Sequence, residues 1–381
     1  MQERIRSLFL EKYQAKPLLV RSPARVNIIG EHTDYNDGFV LPTAINKAIY
    51  VAVSARKDTE IHLYSEAYHQ SHKLNLSALS PQEIAWTNYV LGVVDQLLKD
   101  GRQVRGFNLV LGGDVPLGAG LSSSAAVECA VIFALNELFH FQISKMDLVR
   151  MAQKAEHEYT GVLCGIMDMF ASMFGRKGYA MKLDCRSLAY EYVPLDLKSY
   201  KILLLNTNVK HSLASTAYNE RRQQCEQGLR WVQEFHPSVT SLRDTSLEML
   251  QKLVLTRDTL IYKRCSYVLE ENQRLLAACD NLKNGNLEAL GQQMYQTHHG
   301  LSAAYEVSCP ELDFLVGFVK EMPGVLGARM MGGGFGGCTV NLVEEASIPT
   351  LLEALMPAYQ ETTGLELAAY IVETEDGTSL C

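Results

Sequence analysis

The chain has 381 residues, with 43 acidic side chains against 35 basic ones and a formal charge of −8. That length suits two domains of ordinary size, and an apolar content of 47% is ample for packed cores. The acidic balance argues against a non-specific nucleic-acid binder, and the densest apolar stretch, Cys129 to Leu135, is far too short to span a bilayer. The opening Met1-Gln2-Glu3-Arg4 lacks the apolar run of a signal peptide. The nine cysteines are scattered, with no C-x-x-C pair, and read as reduced thiols of a cytoplasmic protein. Neither nucleic acid nor membrane is expected as a partner.

Helix and strand patterns alternate along the first half, as mixed α and β layers require. Residues 2–14 predict a helix, followed by a polar loop containing Pro23 and Gly30. Strands are predicted from Ile45 to Ala55 and from Phe107 to Leu111. A loop rich in Gly and Pro, Gly112 to Gly120, then opens a helix from Ser122 to Phe139. Two further helices follow, Leu148 to Tyr159 and Ile166 to Phe174, then strands Tyr179 to Leu183 and Ile202 to Leu205. Long helical patterns dominate from Ala214 to Ala304. The end reads helix (311–321), strand (326–331), glycine loop, strand (338–343), helix (347–362) and strand (367–372). A change of character near residue 196 divides the chain into domains 1–196 and 197–381.

Pro116 to Ala126 is the segment richest in chemistry. Gly118 and Gly120 let the backbone turn tightly, and Ser122, Ser123 and Ser124 stand where a helix begins. The free N–H groups and positive dipole end of that helix would favour a phosphate. The loop is not a Walker A motif, since no Gly-Lys-Ser/Thr follows. An ordinary loop with a serine N-cap would use the same residues.

Gly332-Gly333-Gly334-Phe335-Gly336-Gly337 contains a formal G-x-G-x-x-G, but a strand pattern follows where a Rossmann site needs a helix. A protein-kinase loop fails too, for want of the Val-Ala-Ile-Lys and His-Arg-Asp segments. A tight hairpin needs one or two glycines, so five imply close approach of the backbone to a ligand or another domain.

Arg25 to Gly38 gathers Arg25, Asn27, Glu31, His32, Asp34 and Asn36 between apolar segments, a mixture of donors and acceptors suited to sugar hydroxyls. Each of these taken alone would pass for a loop residue. Glu156 and Asp168 flank Gly165. Asp168 interrupts the apolar run Ile166-Met167-Asp168-Met169-Phe170, where a carboxylate is costly unless paired, hydrogen-bonded or functional.

Together these motifs resemble the GHMP small-molecule kinases, and among them the galactokinase branch, over essentially the whole chain. Pro23 to Gly38 is similar to the galactose signature, Gly118 to Ala126 to the phosphate loop, and Gly327 to Gly337 to the C-terminal glycine motif. The resemblance implies an α+β architecture. It would have an N-terminal domain with a ribosomal-protein-S5-like fold, a C-terminal ferredoxin-like domain, and the active site in the cleft between them. It implies ATP as co-substrate, Mg2+ as cofactor, D-galactose as acceptor at C1, and a monomer. By position, Asp168 matches the catalytic base and Arg25 its partner. Glu31, His32, Asp34, Gly165 and Tyr218 match sugar-binding positions. Gly118, Gly120, Ser122, Ser123 and Ser124 match the nucleotide loop, with Trp86 near the adenine. Ser124 and Glu156 match the magnesium ligands. Ala24, Leu163, Met169 and Met331 depart from the common pattern without removing a catalytic group. A related kinase for N-acetylgalactosamine, arabinose or galacturonate is the alternative within the family, and a non-catalytic galactose and ATP sensor the alternative outside catalysis. A panel of sugars separates the first, and turnover the second.

Overall fold

A computed structural model describes residues 1–116, 118–209 and 214–381. The elements run in chain order: α1 (Gln2–Tyr13), β1 (Leu18–Asn27), β2 (Phe39–Val40), β3 (Pro42–Ala55), β4 (Glu60–Ser65), β5 (Gln70–Asn75), α2 (Ala85–Lys99) and β6 (Phe107–Gly113). Then come α3 (Ser123–Phe139), α4 (Lys145–Thr160), α5 (Met167–Phe174), β7 (Tyr179–Asp184), β8 (Tyr190–Pro194), β9 (Tyr200–Asn206) and α6 (Ala214–Gln233). The chain finishes with α7 (Leu247–Leu250), α8 (Thr259–Lys283), α9 (Leu287–His299), α10 (Pro310–Lys320), β10 (Val325–Met330), β11 (Cys338–Glu344), α11 (Ile348–Thr363), β12 (Ala368–Val372) and β13 (Ser379–Leu380).

Three sheets organise these pieces. The first has the order β13-β1-β3-β6-β4-β5, the second β10-β11-β9-β12, and a small third β2-β7-β8. In the first, β1, β3 and β6 are antiparallel neighbours, whereas β4 runs parallel to β6. Helix α3 packs across β1 and β3 and against α2, α4 and α5. It is covered on nearly every side, and small residues (Ala125, Ala126, Cys129, Ala130, Ala134) let its neighbours come close. In the second sheet every neighbouring pair is antiparallel, with α9 and α10 packed on β10. Among the described residues no helix is long and apolar enough to cross a membrane.

The polar loop expected after α1 is instead a ten-residue strand, β1. Pro23 misled that reading, because proline lacks the N–H a sheet ladder uses. Here it sits where the β1–β3 register shifts between Pro23 and Arg25, a bulge that tolerates it. The last residues of the chain return to the first sheet. Glu375 N–H donates to Ala44 O at 2.9 Å, and Leu380 pairs with Val20.

Candidate active site

Helix α3 starts abruptly at Ser122, which holds a left-handed φ of 56° and makes no side-chain cap to its own helix. The first-turn N–H groups therefore lack intrahelical partners and point out of the helix start. The Ser122 hydroxyl turns instead to Asp168 Oδ2. The glycine run, expected to bring its backbone close to a ligand or another domain, lies against the serine loop. A Cβ added to Gly332 would lie 3.1 Å from Gly120 O, so the serine loop and the C-terminal glycine run touch main chain to main chain.

A cavity of about 380 Å³ opens at this junction. Its wall includes Arg25, Glu31, His32, Asp34, Gly118, Gly120, Ser122, Ser123, Ser124, Glu156, Gly165, Asp168 and Tyr218. These residues come from positions nearly two hundred apart in the chain, and all were singled out by the sequence. Trp86 is not on the wall. It is 8% exposed and its Nε1 donates to Gln70 Oε1 at 2.9 Å. Tyr89, one turn further along α2, lines the cavity in its stead.

Arg25 is 3% exposed and grips Asp168 with two parallel bonds, Nε to Oδ1 and Nη2 to Oδ2, each 2.7 Å. Its Nη1 donates to Gly120 O at 2.8 Å, tying this pair to the serine loop. Such a fork-to-fork pair fixes both partners in plane.

Glu31 is held from the other half of the chain. Its Oε1 accepts from Arg329 Nη1 at 3.1 Å and from Gly332 N–H at 2.8 Å, and its second oxygen takes no part in these bonds. His32 presents a buried Nε2 with no hydrogen-bond partner among the described residues. Burial foremost, opposed by the neighbouring Gly333 backbone and helped by the Arg221 charge, pushes its pKa down to about 3, so the ring is neutral. Asp34 is lifted to about 7 by burial first and by the neighbouring Asp168 charge second. Gly165 contributes by what it lacks, since a Cβ there would collide with the Asp34 carboxylate. Tyr218 packs against His32 in a tilted contact and against Tyr35 edge-on, with ring centroids 5.3 Å from each.

On α3, Ser124 and Glu128 are four residues apart and share one face. The Ser124 hydroxyl lies beside the Glu156 carboxyl, which burial foremost raises to about 7. Glu128 is fully buried, and neither of its oxygens has a geometrically sound partner. Burial and the adjacent Glu156 push it well above the usual carboxylate range. Among the described residues no group of three or more His, Cys, Asp or Glu side chains forms a metal cage. The hard oxygen donors Ser124 and Glu156 still fit Mg2+, which takes one or two protein oxygens and fills its shell with water and phosphate. The sequence missed Glu128, Tyr89 and the role of Arg329. Arg329 left a signal as part of the C-terminal glycine motif, and Tyr89 as part of the segment Trp86 to Tyr89, which also resembles the family pattern.

Residues 7–55 match the galactokinase galactose-binding signature, 88–176 the GHMP kinases N terminal domain, and 278–361 the GHMP kinases C terminal family. The galactokinase of Thermotoga maritima is 41% identical over 359 residues, 94% of this chain and 98% of that one. A Roseiflexus galactokinase is 38% identical over 374 residues, 98% of this chain and 95% of its own. The crystal structure of Lactococcus lactis galactokinase complexed with galactose superposes with a TM-score of 0.95 at 34% identity, covering 100% and 99% of the two chains. Methanococcus jannaschii mevalonate kinase shares the fold, with a TM-score of 0.66 at 18% identity over 95% and 100% of the chains.

Proposed function

The chain belongs to the galactokinase family of the GHMP kinases, and from that premise we propose that it transfers the γ-phosphate of ATP to the C1 hydroxyl of α-D-galactose, giving galactose 1-phosphate and ADP. The observation that carries the reading is the bidentate Arg25–Asp168 pair, anchored on Gly120 and facing the cavity that Glu31, His32 and Asp34 also line. The division near residue 196 belongs to the same reading: β8 ends at Pro194 in the three-stranded sheet, and β9 starts at Tyr200 in the four-stranded one. The nine free cysteines suit a reducing cytoplasm.

Counting donors and acceptors gives each residue its part. A guanidinium has five N–H donors. Arg25 commits three, Nε, Nη1 and Nη2 once each, which leaves two for the oxygens of the transferred phosphoryl group. A carboxylate has about four lone-pair positions. Asp168 accepts two bonds from Arg25 and one from Ser122, which leaves one for the sugar C1 hydroxyl. Asp168 aims that hydroxyl and takes its proton as the O–P bond forms and the bond to ADP breaks. The N–H groups at the start of α3 hold the triphosphate, and Arg25 offsets charge spreading over the group in flight. The free Glu31 oxygen, Asp34, His32 and Tyr218 bind the remaining sugar hydroxyls. Mg2+ would be held by Ser124 and Glu156, and when bound it supplies charge neutralisation on the phosphates.

The test is ADP release with magnesium and ATP over D-galactose, N-acetylgalactosamine, L-arabinose, galacturonate and glucose. Turnover on galactose alone is expected. Turnover on another sugar only would overturn the acceptor, and binding without turnover would make the chain a sensor.

A further inference from the structure

His32 is a sugar-site residue whose ring nitrogens face in opposite directions. One, Nε2, is the buried atom described above, with no side-chain partner, in a residue 4% exposed on the cavity wall and beside the Gly333 backbone. The other, Nδ1, sits 2.6 Å from the Tyr35 hydroxyl. Behind Tyr35 the contacts continue. Its oxygen lies 2.9 Å from the hydroxyl of Tyr305, and that hydroxyl lies 3.2 Å from Cys225 Sγ. Tyr305 and Cys225 are both fully buried, so no water competes for these bonds.

Bonds from N–H donors run from about 2.7 to 3.2 Å, and bonds from O–H donors are shorter, from about 2.5 to 3.0 Å. A separation of 2.6 Å is in keeping with the Tyr35 O–H donating to Nδ1. A phenol has one hydrogen. With its hydrogen spent on His32, Tyr35 must accept from the Tyr305 O–H, and Tyr305 must in turn accept from the Cys225 thiol. A neutral imidazole that accepts at Nδ1 carries its proton on Nε2.

We propose that Tyr35, backed by Tyr305 and Cys225, is a positioning residue for sugar recognition that fixes His32 as the Nε2–H tautomer, so that His32 donates to a hydroxyl oxygen of the bound sugar. This rests on the galactokinase reading of the cavity. Tyr35 does not line that cavity, so it acts through His32. The arrangement also adds to specificity. A ring locked as a donor rewards an oxygen at that place, and a deoxy sugar lacking it leaves the buried N–H unpaired.

The test is the tautomer itself, read in a long-range nitrogen–proton spectrum of the full chain labelled with 15N-histidine. The His32 signals are identified by their loss in His32→Asn. The wild type is expected to carry its proton on Nε2, with and without galactose. In Tyr35→Phe the Nδ1 partner is gone, so a mixture of tautomers is expected. KM for galactose should rise about tenfold there, while kcat and KM for ATP stay within about twofold. A wild-type ring protonated on Nδ1 overturns the proposal, as does a folded Tyr35→Phe protein with unchanged KM for galactose. The wild-type spectrum decides the matter even if that variant does not fold. A wild-type chain that releases no ADP from galactose would sink the kinase reading instead, and the spectrum would still report the tautomer.

Discussion

Arg329 on β10 and Glu31 after β1 meet in a buried ion pair of 3.1 Å, their side chains 0% and 2% exposed. The guanidinium also donates to the carbonyls of Ile28, Asn27 and Met330, so four of its five N–H groups are taken by acceptors from both halves of the chain. A buried pair of this kind is worth little against a well-packed apolar substitute, but breaking one side strands a charge. Arg329→Met should cost about 3–5 kcal/mol in urea unfolding and raise KM for galactose. Adding Glu31→Gln to that variant should return part of the stability while sugar binding stays weak. If Arg329→Met unfolds like wild type, the pair does not couple the two halves.

Asp168 owes its placement to two parallel bonds from Arg25. Asn in its place keeps the shape but offers one oxygen and an NH2 group, so the fork is lost and the proton acceptor with it. Asp168→Asn should lower kcat by about 10²–10⁴. Galactose affinity by calorimetry should change by no more than about threefold, because only the C1 hydroxyl meets Asp168 and the other sugar hydroxyls are held elsewhere on the wall. Near-normal turnover would remove Asp168 from the proton transfer.

Gly165 touches Asp34 so closely that a single methyl group cannot be added without moving the carboxylate. Gly165→Ala should therefore raise KM for galactose by about tenfold or more, the effect of roughly 1–3 kcal/mol of overpacking. Gly165 is not part of the serine loop proposed for ATP, so KM for ATP should hold. A parallel loss of ATP affinity would mean that the substitution distorts α5 as a whole.

Much of this site could be read from the chain because its parts are short and chemically dense. Arg25 to Asp34 and Gly118 to Ser124 are each contiguous, and Asp168 stands out as a charge in an apolar run. What escaped depends on contacts distant in sequence or on the facing of a helix. Pro23 hid β1, because a bulge in its pairing with β3 cannot be seen without the partner strand. Trp86 and Tyr89 lie one turn apart on α2, and only packing decides that the tyrosine faces the cavity. Glu128 lies within the apolar, nearly all-buried α3, where nothing local marks it as the neighbour of Glu156. Arg329 finds Glu31 only once the two halves have come together.

Asp34 gives the protein a pH dependence with a definite sign. Burial, then the Asp168 charge, raises its carboxyl from 3.8 to about 7, while N–H groups of Tyr35 and Met167 oppose this less strongly. Below about pH 4 both folded and unfolded chains hold the proton, and this stabilising difference is fully present. Between about 4 and 7 the unfolded chain has released a proton that the folded one keeps, so stability falls as pH rises, by at most about 1.4 kcal/mol per unit. Above about 7 the loss is complete and the curve flattens. Asp34→Asn cannot titrate. Its stability relative to wild type, from urea unfolding between pH 4.5 and 8, should therefore climb to about pH 7 and then level off. Galactose affinity of the wild type should climb over the same range, because the ionised carboxylate accepts from sugar hydroxyls more strongly than the acid does. A difference between variant and wild type that stays constant with pH would place the Asp34 proton outside the folding equilibrium.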